Sequence, residues 1–183
     1  MTQFEYISVA IALICSTVVA RLLGGIAPAT RSDRSYWIHL CWVAQGLLVI
    51  VVLWAGFWNL RIVEWTPIRF IYALLVPSFN YVAASILVGS PPESVVSFRD
   101  HFYDSRIRFF SVLTAGAVLG ALMPIVNGTP TAQLLRSLPF SLTLVAVYVA
   151  GLIFRGERAH GALSIVVLLI NGTTLMLMPA VSS

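Results

Sequence analysis

Six runs of apolar residues divide the chain, at about 5–27, 36–58, 66–89, 108–127, 137–154 and 161–179, with short polar connections between them. A helix needs about 20 mostly apolar residues to cross roughly 30 Å of hydrocarbon. The runs are close to that length and too long for barrel strands, and only closed hydrogen-bonded elements survive in lipid. The pattern therefore predicts an all-α integral membrane bundle of six transmembrane helices. It forms a single transmembrane domain over 1–183.

Between the third and fourth runs lies Ser90-Pro91-Pro92 through Phe110, rich in both acids and bases. At about 100° per residue, Val95, Phe98, Phe102, Phe109 and Phe110 fall on one side. Glu93, Ser97, Asp100, His101, Asp104 and Arg108 fall on the other. Such a division predicts a short amphipathic interfacial helix over 93–107 between spans three and four, phenylalanines down and charges up. It is continuous with span four or bent into it near Arg108. A sharper reading makes Asp100, His101 and Asp104, with His160 and Glu157 from the fifth connection, a metal or acid–base site, although no fixed fourth ligand completes it.

Composition supports the membrane assignment. The chain is 59% hydrophobic and 10% charged, against about a quarter charged in a soluble domain. All 11 basic residues are arginine. Without lysine there is no Schiff-base attachment for retinal or pyridoxal, and no cofactor is expected. Cys15 and Cys41 both lie in apolar runs, as small buried hydrophobes. Met1 to Tyr6 carries no basic residue, which argues against a cleaved leader. No basic cluster stands outside the membrane blocks to hold nucleic acid.

Arginine placement predicts orientation. Arg31, Arg34, Arg99, Arg106, Arg108, Arg155 and Arg158 follow runs one, three and five, whereas Arg61 and Arg136 follow runs two and four. The positive-inside rule then puts the odd-numbered connections in the cytoplasm and both termini on the outer side. The implied location is a cell (inner) membrane, crossed six times. Trp37 and Trp42 mark the inner end of run two, and Trp54, Trp58 and Trp65 its outer end. Thr66-Pro67 reads as an N-cap with proline in the first turn.

Gly116 and Gly120, and then Ala146 and Ala150, sit four apart and predict close helix packing, within one chain or in a homodimer. Asn127-Gly128-Thr129 reads as a turn, and Asn171 as a packing position within its span. Polar groups inside the spans are few. Arg21 and His39 enter from the inner side, and Gln45, Asn80 and Asn171 form a deeper layer. Those amides bond helices together, or they line a hydrated solute path. Pro77 frees backbone carbonyls close to Asn80. No carboxylate lies in mid-membrane, and HExxH, GxSxG and CxxC are all absent.

The residues Glu5-Tyr6, Gly24-Gly25, Trp37-x-His39-x-x-Trp42, Trp54-x-x-x-Trp58, Glu64-Trp65, Phe98-Arg99-x-His101-Phe102-Tyr103 and Arg106-x-Arg108-Phe109-Phe110 resemble a group of small uncharacterised bacterial polytopic membrane proteins. The resemblance covers about the first 110 residues and implies no function. Three readings follow from the residues themselves. The first is permeation of a small solute or ion, leaning to an anion or neutral solute. The second is a non-catalytic accessory or scaffold subunit of a larger membrane complex. The third is a membrane enzyme using the inner-face histidine and acids.

Overall fold

The computed structural model describes residues 2–177. Among them run six long helices: α1 (Gln3–Ala29), α2 (Trp37–Trp58), α3 (Pro67–Val88), α4 (Phe98–Val126), α5 (Thr131–Ile153) and α6 (Glu157–Leu177). All six are long and apolar enough to cross a membrane, so the protein is a polytopic helical membrane protein. The expected end of the sixth span at 179 lies outside the described residues.

Local chemistry starts several helices where the sequence places them. The Thr66 hydroxyl accepts the Arg69 N–H, with Pro67 in the first turn of α3. Thr2 and Glu5 form a reciprocal capping box on α1. The Ser97 hydroxyl accepts the Asp100 N–H and opens α4. That last cap corrects a boundary. Residues 92–94 form one 3₁₀ turn and Val95 is extended, so the helix begins at Phe98 rather than at 93. It then runs unbroken through Arg108 to Val126 over 29 residues. Gly89 closes α3 with φ of +78°, a conformation that suits glycine.

The helices pack as a ring in the order α1, α3, α4, α5, α6, α2, with α2 also leaning across onto α3. The α1–α2, α3–α4 and α5–α6 connections gather at one end. There Tyr36 and Tyr103 hydroxyls meet at 3.1 Å, and Arg99 pairs with Glu157 at 3.5 Å. All three histidines of the chain, His39, His101 and His160, lie at this end, in the first turns of α2, α4 and α6. We call it the histidine end. The α2–α3 and α4–α5 connections meet at the opposite end, where Arg69 Nε donates to the Val126 carbonyl at 3.1 Å.

None of the six long helices carries a basic residue in its own last turn, and the negative C-terminal ends of α3, α4 and α5 are satisfied by side chains from neighbours. Arg21 donates to Gly89 O, and His101 Nε2 sits 3.0 Å from both Ile86 O and Leu87 O; together they finish α3. Arg106 Nη1 reaches Gly151, Leu152 and Phe154 carbonyls at 3.0, 2.8 and 2.6 Å, and His160 Nε2 reaches Phe154 O at 3.0 Å; together they finish α5. Arg69 finishes α4. A planar guanidinium with five donors suits this task, which gives the all-arginine composition a structural use.

Candidate functional site

The histidine end is filled by rings. Phe98 and Phe102, the first apolar residues of α4, are 0% and 1% exposed. Their neighbours are protein side chains. Phe98 packs on His39 at 4.6 Å, and Phe102 lies 6.0 Å from Tyr36 and 5.3 Å from His160. Trp42 meets Phe109 and Phe110 edge-on at 5.6 and 5.1 Å, and Phe110 stacks on His160 at 5.4 Å. The ring packing is tight. A Cβ added at Gly151 would stand 2.5 Å from Phe110, so glycine admits this ring between α4 and α5.

This plug rearranges several sequence expectations. Trp42 is a core residue at 1% exposure rather than an interfacial marker, whereas Trp37, Trp54 and Trp58 are exposed. Arg61 lies over the Trp58 ring at 5.6 Å. The metal or acid–base reading loses its geometry. His101 is turned to the α3 carbonyls, His160 is sealed among aromatic rings, and Asp100 and Asp104 face outward. Among the described residues no three His, Cys, Asp or Glu side chains converge on a metal-sized site. Arg21 is engaged at Gly89 O, and the contacts of His39 are aromatic.

Above the plug α2 and α4 face each other across the ring and scarcely touch. A cavity of about 190 Å³ occupies the gap. Asn80 and Asn171 line it with Tyr148 and Ser141, among aliphatic side chains. The amides are not bonded to one another. Asn80 Nδ2 donates to Val76 O at 3.0 Å and Asn171 Nδ2 to Val167 O at 3.1 Å, each within its own helix. Neither ties two helices together.

Val52, Val76, Gly120 and Phe140 are shared with a second cavity of about 370 Å³, which extends toward Asn127 and Thr129 at the end opposite the histidines. Among the described residues neither lining contains a charged side chain. The two glycines expected to pack helices divide here. A Cβ at Gly116 would meet the Phe79 Cβ at 3.1 Å, so Gly116 does seat α4 on α3. Gly120 has nothing within 4 Å and opens onto both cavities. Ala146 is exposed and Ala150 half-buried.

Gln45 belongs to the deep layer but faces a smaller space. It lines a gap of about 20 Å³ with Trp42, Asn80 and Tyr148, directly beneath the first cavity. Tyr148 borders the same gap as Gln45. Even so, neither Gln45 polar atom has a partner in hydrogen-bond geometry. The plug and the buried Arg106 were missed in the sequence. The available signal was register: Arg106 follows Phe102 by four and precedes Phe109 by three, which places it on the buried face.

Comparison with protein families, with curated proteins and with solved structures gives no match.

Proposed function

We propose that the protein is a permeation protein for a small neutral solute, with the two joined cavities as its vestibule. One observation carries the reading. The Asn80 and Asn171 side chains, polar and deep in the membrane, border open space rather than each other. A polar group facing dry hydrocarbon is costly, whereas one facing a hydrated or solute-filled space is not. The uncharged lining favours a neutral solute over the anion that Arg21 and His39 suggested. A bare ion would lose its hydration there with no opposite charge to meet it.

In this reading the arginine bias sets the histidine end in the cytoplasm, with the vestibule open to the outer side of a bacterial inner membrane. The aromatic plug is then the closed inner gate. Purified protein in lipid vesicles supplies the test, by stopped-flow osmotic swelling with water and a panel of small neutral solutes. At least one should cross faster than in protein-free vesicles. Gly120→Trp, which fills both cavities, should return the rate to background, while Ala146→Trp on the exposed face of α5 should not. If every neutral solute crosses at the protein-free rate, the reading fails.

A further inference from the structure

His39, Trp42 and Gln45 follow one another at three-residue intervals on α2, about 4.5 Å apart along its axis. They are 0%, 1% and 2% exposed. Both ring nitrogens of His39, the indole Nε1 of Trp42 and both amide atoms of Gln45 lack hydrogen-bond partners. Buried polar atoms are nearly always paired, by protein or by ordered water. One orphan is an irregularity; five on three successive steps of one helix form a column. The column begins at the gap of about 20 Å³ under the vestibule. A cavity needs roughly 10–15 Å³ to hold one water, so the gap has room for a single molecule of that size. Asn80 and Tyr148 line both the vestibule and the gap, and so connect them.

We propose that the gap at Gln45 is a binding site for one water-sized neutral hydrogen-bonding molecule, water or ammonia, and that it sets the size limit of what the vestibule passes toward the histidine end. This rests on the permeation reading above. The site has complementary chemistry for such a guest. Gln45 offers a donor and an acceptor, Trp42 a donor, and His39 one donor and one acceptor in its neutral form. A guest stepping from Gln45 to Trp42 to His39 would exchange one buried partner for the next without returning to bulk water. A solute with a carbon skeleton fits the vestibule but not the gap.

The test uses the whole protein in vesicles. Water entry is followed by stopped-flow swelling, ammonia entry by a trapped pH dye, and urea and glycerol by osmotic recovery. Water or ammonia should enter at least fivefold faster than in protein-free vesicles, with urea and glycerol at background. Gln45→Leu removes the amide donor and acceptor at the gap and strands no partner, since Gln45 has none, so it should fold and return the rate to background. Trp42→Phe should lower the rate with the ring packing kept, and it decides the matter if Gln45→Leu does not fold. Entry of glycerol or urea as fast as water would overturn the size limit while leaving permeation standing. An unchanged rate in both variants would take the site off the route. No acceleration of any solute would remove both this proposal and the permeation reading beneath it.

Discussion

Arg106 of α4 ends α5: its Nη1 lies 2.6 Å from the Phe154 carbonyl oxygen and 2.8 Å from that of Leu152. The side chain is 5% exposed, so the contact is a buried cation set against the negative end of a helix. It fastens the α5–α6 hairpin to the helix that carries the aromatic plug.

Arg106→Leu should therefore destabilise the fold by about 2 kcal/mol or more, because the last carbonyls of α5 are left without a donor. Arg106→Lys should recover part of the loss through its charge but not the planar fork. Thermal unfolding in detergent, with wild type alongside, measures both. Equal stability of Arg106→Leu and wild type would show that the cap contributes nothing.

Phe102→Ala should cost about 3 kcal/mol or more, since it empties a site enclosed by Tyr36, Phe109, Phe110 and His160. Asp104→Asn, two residues on and facing outward, should change stability by less than about 0.5 kcal/mol. Cysteine replacement offers a second readout. A cysteine at 104 should react with a water-soluble thiol reagent, and one at 98 should resist it.

Tyr36 lies just before α2 and is buried against Tyr103. Burial, and then the hydrogen bond and charge of Tyr103, raise its hydroxyl above the ordinary tyrosine value of 10.0. A raised pKa means that the folded state holds the proton more tightly. Its stabilising effect is whole below about pH 10 and is lost as pH rises through the folded value. Alkaline unfolding should set in above pH 10, and Tyr36→Phe should flatten that part of the curve. Tyrosinate absorbance that reaches its full amplitude near pH 10 with the fold intact would contradict this.

Cys15 borders the larger cavity at the Asn127 end. With Cys41 replaced by Ser, a small thiol reagent should modify Cys15 in folded protein, and Gly120→Trp should slow the reaction severalfold. Modification seen only after unfolding would mean that the cavity does not open.

The reach of the sequence differs from element to element. Thr66-Pro67 and Asn127-Gly128 marked real helix ends because capping is settled by a few adjacent atoms. The apolar face of Val95, Phe98, Phe102, Phe109 and Phe110 was readable from helical period alone, and all five are buried or half-buried. What covers that face was not readable. A phenylalanine directed at lipid and one directed at His39 follow the same periodicity, since lipid tails and protein interiors are alike in polarity.

By itself, then, the chain determined six membrane-crossing helices, their approximate limits and the residue types admitted to the membrane. These follow from hydropathy and local hydrogen bonding, which act over a turn or two of helix. Only the tertiary structure decided that Arg106, Arg21 and His101 serve the ends of other helices, that Gly120 faces space while Gly116 faces Phe79, and that Gln45 stands unpartnered over a gap. Each of these depends on which helix lies opposite, in a ring order of α1, α3, α4, α5, α6, α2 that no local pattern encodes. In a membrane, packing is chosen by shape and a few polar contacts between distant segments, and those exist only once the helices have met.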